Sequence, residues 1–179
     1  MNKVNLGCWK RNFPDFINVD LCDFPHIDHI SSIDSLPFFE NDSIDYMYCS
    51  HALEYFNSQE AIDVLKEWRR VMKEGAVLRV CVPDFDSLIK VYHMTKDIDK
   101  IIGPLYGKML ANDEIIYHRT VYNFEKISKL LSSCGFKQIK KYDWRNTEHS
   151  KYDDHSQAYF PHMDKKNGIL VSLNVECVK

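Results

Sequence analysis

Glycine and proline are scarce, at six residues each in a chain of 179, which excludes collagen-like or linker-rich composition. An excess of one charge sign is lacking too. With 23 Lys and Arg against 26 Asp and Glu the formal charge is −3, so no net field draws the chain to nucleic acid or an anionic membrane, and neither is an expected partner. No apolar stretch approaches the roughly 18 residues of a membrane span. The opening Met1-Asn2-Lys3-Val4-Asn5-Leu6-Gly7 runs out of apolar residues too soon for a signal peptide. The six cysteines form no C-x-x-C pair and have no histidine at finger spacing, a usage that fits reduced thiols and a cytoplasmic location. What the chain has is 45% hydrophobic and 13% aromatic residues, which excludes disorder and fills one core over residues 1–179, read as a single domain.

Short apolar runs alternate with helical patterns. Val4 to Leu6, Ile17 to Asp20, Ile44 to Cys49 and Ala76 to Val82 read as strands, the last nearly all apolar, as a strand covered on both faces should be. Between the last two, Asn57 and Glu60 form a capping pattern. Ile62, Leu65, Trp68 and Met72 follow as an apolar stripe, and Gly75 as the stop. Further helices are expected through Leu88, Ile89 and Tyr92 and from Asn123 to Gly135, with an apolar segment from Ile101 to Leu110 between them. Strands Phe136 to Trp144 and Ile169 to Val178, with no helix evident between them, suggest an antiparallel pair at one edge. The implied class is α/β, a Rossmann-like and mainly parallel sheet. Only residues 8–16 separate the first two strands, and a helical crossover needs a dozen or more, so the first crossover is expected to be a loop without its helix.

In open α/β sheets ligands bind beyond the carboxyl ends of the strands, here Gly7, Asp20, Ser50-His51 and Pro83-Asp84. An acid at Asp20 can accept from both hydroxyls of a ribose; its plain alternative is a solvated turn residue. Asp153, Asp154, His155, His162 and Asp164 match no metal-ligand spacing, and no metal is expected.

Four segments in order resemble the class I S-adenosylmethionine-dependent methyltransferases. They are Val4-Asn5-Leu6-Gly7-Cys8, Ile17-Asn18-Val19-Asp20-Leu21, Leu36-Pro37-Phe38 through Asp42-Ser43-Ile44-Asp45 to Ser50-His51-Ala52-Leu53-Glu54, and Trp68-Arg69-Arg70-Val71-Met72-Lys73-Glu74-Gly75 with Arg79-Val80 and Pro83-Asp84. The resemblance is closest to a small predicted subgroup with a shortened N-terminal region, echoed later by Tyr117-His118-Arg119 and Ser156-Gln157-Ala158-Tyr159. It implies S-adenosyl-L-methionine as cofactor, contacted by Leu6, Gly7, Cys8, Trp9, Asp20, Leu21, Asp34, Ser35, Leu36, Ser50 and His51. Asp34 is the candidate for the adenine edge, with the backbone of Ile33 to Leu36 as the alternative. Where the family usually has a second glycine, this chain has Trp9.

The implied reaction is methyl transfer to a small-molecule oxygen or nitrogen acceptor. Location alone makes His51, Asp84 and His118 the candidate bases and Tyr55, His118, Arg119 and His155 the substrate contacts. A dinucleotide needs helix N-terminal amides for its pyrophosphate, whereas S-adenosylmethionine carries no phosphate and a loop suffices. Two other readings stay open: a catalytically silent methyltransferase-like module that binds a ligand or a protein, and a nucleotide or nucleotide-sugar enzyme, for which Lys10 and Arg11 are the motive. Sequence does not give the oligomeric state.

Overall fold

Side chains alternate along the central strand Ile44–Ser50, and the two faces are covered differently. Met47 and Cys49 enter the main core with Trp68, Leu131 and Val175, while Tyr46 and Tyr48 enter a smaller aromatic cluster with Phe13 and Phe16. The computed structural model describes residues 1–179. Its strands are β1 (Lys3–Leu6), β2 (Ile17–Asp20), β3 (His29–Ile30), β4 (Ile44–Ser50), β5 (Met72–Pro83), β6 (Met109–Ala111), β7 (Glu114–Ile116), β8 (Lys137–Lys141), β9 (Tyr159–Phe160), β10 (Ile169–Leu170) and β11 (Ser172–Val178). Helices α1 (Glu60–Val71), α2 (Phe85–Thr95), α3 (Asp99–Tyr106) and α4 (Phe124–Ser133) are interleaved with them.

One sheet has the order β3-β2-β1-β4-β5-β11-β8. The first five strands in that order pair in parallel, and β11 runs antiparallel to both β5 and β8. The α/β class and the antiparallel C-terminal pair are as expected, with β11 inside the sheet and β8 at its edge. Residues 7–16 hold no helix, so the first crossover is a loop.

The capping pattern forms: Asn57 Oδ1 accepts from the amides of Gln59 and Glu60 at 2.9 and 3.0 Å, and Glu60 Oε2 accepts from the Asn57 amide at 2.9 Å. The helix ends earlier than its stripe implied. The carbonyls of Arg70 and Val71 accept from the amides of Asp42 and Ser43, Met72 opens β5 against Ile44, and Gly75, at φ +78°, lies within that strand. Ile101 to Leu110 divides into α3, which contains Pro104, and the first strand of a β6–β7 hairpin. That hairpin was not anticipated; its signal is Asn112-Asp113, both at positive φ, as a tight two-residue turn requires. The expected strand to Trp144 stops at Lys141, and Trp144 opens a short 3-10 turn. Ile169 and Leu170 pair with β9 instead of continuing β11.

Trp68 ties this scaffold to the cavity described next. Its ring is fully buried, and its indole N–H donates to the carbonyl of Ile33 at 2.7 Å. Trp68→Ala is expected to cost about 3–5 kcal/mol in urea unfolding, from lost burial and the cavity left behind, and Trp68→Phe clearly less.

Candidate active site

A cavity of about 500 Å³ opens beyond the carboxyl ends of β1, β2, β4 and β5. Its floor is the loop after β1. Gly7 there has φ +64°, and a Cβ on it would stand 2.6 Å from the Cβ of Ala52, so only glycine allows this approach. Trp9, two residues on, stands at φ +46°, in the left-handed region that glycine adopts without strain, at a cost of roughly 1–2 kcal/mol. Asp20 compensates. Its Oδ2 accepts from the Trp9 amide at 2.7 Å and its Oδ1 from the Cys22 amide at 2.9 Å, joining the glycine loop to the end of β2. Beside it, burial and the Asp20 charge push the Cys8 thiol up to about 12, so it stays protonated.

Gly7, Cys8, Trp9, Asp20, Leu21, Ser50, His51, Tyr55, His118 and His155 all line this one cavity. Others do not. Leu6 is fully buried in the core beneath the loop. Asp34 and Ser35 are exposed, and Leu36 is buried in the core with its amide bound to Glu67; Ser32 and Ile33 line the cavity in their place. Asp84 caps α2, accepting from the Asp86 amide and the Ser87 hydroxyl at 3.2 and 2.8 Å. Arg119 is exposed and pairs with Glu60 at 2.7 Å. Neither lines the cavity: Asp84 is held by the helix it caps, and Arg119 by an acid 59 residues back in the chain.

The far wall contains residues that sequence reasoning missed. Phe13 and Tyr48 stack at 5.5 Å, and the Tyr48 hydroxyl bonds Asp154, which also accepts from the Ser156 amide at 2.9 Å. Arg11, noted only as a possible phosphate contact, lines the cavity with a buried Nε that has no partner, and no acid lies within salt-bridge distance of it. Lys10 instead rests over the Trp9 ring at 4.7 Å, outside the lining. The roof is α3 with the β6–β7 hairpin, held by Tyr55, whose hydroxyl donates to the Gly107 carbonyl at 2.8 Å.

The three histidines differ in what their ring nitrogens meet. His51, at φ +55°, has Nε2 3.0 Å from Ser172 Oγ and Nδ1 3.6 Å from Glu54 Oε1. His118 has Nδ1 3.0 Å from the Pro104 carbonyl and Nε2 3.7 Å from the same Glu54 oxygen. Each thus has one ring nitrogen hydrogen-bonded and the other turned to Glu54 beyond hydrogen-bond distance. His155 makes no hydrogen bond through its ring, which stands edge-on to His51 with centroids 5.2 Å apart. Burial lowers the basicity of His51 and His118, and His51 is lowered further by the other two rings; His155 is exposed over much of its surface, and its ring is lowered by partial desolvation in the cavity wall and then by the Arg11 charge.

A family profile described as a methyltransferase domain matches residues 10–80. Demethylmenaquinone methyltransferase of Staphylococcus haemolyticus is 29% identical over 119 residues, which cover 59% of this chain and 46% of that protein. The chain thus spans about half the length of the curated relatives it matches. Among solved structures, a methyltransferase from Archaeoglobus fulgidus superposes over 99% of this chain and 86% of its own with a TM-score of 0.60 at 14% identity. A 1,6-didemethyltoxoflavin-N1-methyltransferase from Burkholderia thailandensis, solved with S-adenosylhomocysteine bound, covers 99% of this chain and 70% of its own with a TM-score of 0.58 at 9% identity. At those identities the superpositions show a shared fold.

Because Trp9 stands in a conformation that glycine adopts without strain, Trp9→Gly is expected to leave stability within about 1 kcal/mol of the parent, the relieved strain offsetting the lost ring contacts. Chemical denaturation measures this. A loss above about 3 kcal/mol would mean that the indole, and not the Asp20 tether, holds the loop.

Proposed function

We propose that the chain, which shares a fold with solved methyltransferases and matches a methyltransferase-domain profile over residues 10–80, is a class I S-adenosylmethionine-dependent methyltransferase that moves a methyl group to a small-molecule oxygen or nitrogen acceptor. Residues 1–179 act as one methyltransferase-like domain in this reading. The observation that carries it is the joining of the Gly7 loop to Asp20 at the mouth of a cavity large enough for both reactants. The residues fit the cofactor: a glycine backbone with no side chain over the cavity floor, a carboxylate at the end of β2 with acceptor capacity left for ribose hydroxyls, and Ser32 and Ile33 in position for the edge of a base. When bound, S-adenosylmethionine supplies an activated methyl on a sulfonium leaving group.

The chain's own work is then orientation and proton removal. Orientation falls to the floor loop and to the roof pinned by Tyr55. The base is reassigned to His155. It alone of the three cavity histidines has both ring nitrogens unengaged, and at neutral pH it is uncharged and ready to take the acceptor's proton. Arg11, whose buried Nε has no protein partner, meets an anionic group of a ligand. It is the one residue of the Lys10-Arg11 pair that reaches the cavity, which leaves the nucleotide reading half of its motive. No helix is long and apolar enough to cross a membrane; a cytoplasmic location belongs to the same proposal and rests on six unpaired cysteines.

Calorimetry with S-adenosylhomocysteine tests the assignment. Binding is expected, and Asp20→Ala should weaken it about tenfold to a hundredfold, since hydrogen bonds to a charged group are worth roughly 1.5–3 kcal/mol. Wild-type protein with no measurable affinity would end the cofactor assignment. In a screen of small phenols and amines, His155→Ala should lower transfer to any acceptor found by about 10²–10⁴-fold, with cofactor affinity retained; an unimpaired His155→Ala would return the search for the base to other groups.

A further inference from the structure

Glu54 is fully buried, and neither carboxyl oxygen has a hydrogen-bond partner. Its only basic neighbours within 4.0 Å are His51 and His118. The hydrogen bonds on the far side of each ring decide what those histidines offer. Asn174 uses its amide nitrogen to donate to the Ser156 carbonyl, so its Oδ1 faces Ser172 and accepts the Ser172 proton at 2.9 Å. Ser172 Oγ must therefore accept from His51, which places the ring proton on Nε2 and leaves a lone pair on Nδ1 facing Glu54. At His118 the partner of Nδ1 is a carbonyl, which can only accept. The ring proton is on Nδ1, and the Nε2 lone pair faces the same Glu54 oxygen.

Two lone pairs and an ionised carboxylate cannot face one another in a dry site without repulsion, and an unpaired buried charge is costly. We infer that a single labile proton serves Glu54, His51 and His118, carried by Glu54 at neutral pH across gaps of 3.6 and 3.7 Å that are wider than a hydrogen bond, and that neutral Glu54 is thereby the positioning residue that lets both rings stay neutral on their Ser172 and Pro104 partners and the roof pack over the cavity. The mechanical link is short. His118 is bound to the Pro104 carbonyl of α3, and Gly107, at φ +55°, lies so close that a Cβ there would stand 1.9 Å from His118 Nε2. The backbone oxygen of Glu54 also accepts from the amides of Arg119 and Thr120. The remaining titratable groups that face Glu54 are Cys49 from β4, Cys81 from β5, Tyr55 from its own turn and Tyr122 from the segment just before α4, whose hydroxyl is buried without a partner. All four are neutral near pH 7, so none supplies a countercharge. In agreement with the geometry, burial pushes the Glu54 carboxyl up to about 8.

The sign of the pH dependence follows. A carboxyl whose proton is held more tightly folded than unfolded makes the native state the greater proton binder, so its contribution to stability falls as pH rises from about 4.5 to about 8. His51 and His118, held below their ordinary value, act in the opposite direction below about pH 6.5. The Glu54 contribution therefore stands alone between about pH 6.5 and 8.

The inference is independent of the cofactor assignment, and its test needs no ligand. Amide hydrogen exchange over residues 99–118, corrected for intrinsic rates, should accelerate in the wild type by up to about tenfold per pH unit between pH 6.5 and 8. Glu54→Gln, whose amide donates to a lone pair and cannot ionise, should show a flat profile. Side-chain ¹⁵N spectra of the wild type at pH 7 should show His51 protonated on Nε2 alone and His118 on Nδ1 alone. Equal pH profiles in the wild type and Glu54→Gln, or an imidazolium at either histidine at pH 7, would overturn the shared proton. Should Glu54→Gln fail to fold, the wild-type spectra decide by themselves.

Discussion

The connection from β1 to β2 is too short to build a crossover helix, and one face of the sheet is organised around that shortage. The face that carries Met47 and Cys49 is covered by α1 and α4 and holds the large aliphatic core. On the other, Phe13 from the short crossover stacks on Tyr48 and, at 4.5 Å, on Tyr152, so rings from the loop and from the long C-terminal connection stand where a helix would pack. Rings cover area with few rotatable bonds, but their polar ends need partners. The Tyr48 hydroxyl finds Asp154, the Tyr142 hydroxyl lies 3.0 Å from the Cys81 sulfur, and Arg79 binds both Glu176 and Tyr46. The cavity extends onto this face because a loop wall leaves room that a helix would fill, which is how Arg11, Phe13 and His155 reach it.

The floor and the roof are secured by different physics. At the floor, Asp20 accepts from two backbone amides, a charge-assisted arrangement that holds Trp9 in a left-handed conformation. At the roof, a buried acid without a countercharge meets two neutral rings, each already locked on an acceptor from a distant segment. The first suits a surface that receives a polar ligand in one orientation.

Asp84 and Arg119 lie outside the cavity lining and His155 within it, and the proposed base is chosen on that difference. Titratable groups at strand ends are there for two reasons, to cap the next helix or to face the ligand, and only the partner distinguishes them. Asp84 has Asp86 and Ser87, and Arg119 has Glu60. His155 has none, and desolvation followed by the Arg11 charge lowers its basicity.

The sequence by itself determined whatever depends on neighbours in the chain. The Asn57–Glu60 capping box, the α1 stripe of Leu65 and Trp68, the loop forced by the short first crossover, and the arrival of Gly7, Asp20, Ser50 and His51 at strand ends all follow from spacing and local sterics. Helix α1 ended early because Asp42 and Ser43, far back in the chain, took its last carbonyls. The β6–β7 hairpin is too short for a periodicity to register. Only the tertiary structure decided which histidine is free. Ser172 reaches His51 across 121 residues and Pro104 reaches His118 across 14, and the occupancy of a ring nitrogen is a fact about such long-range partners, which no pattern of adjacent residues encodes.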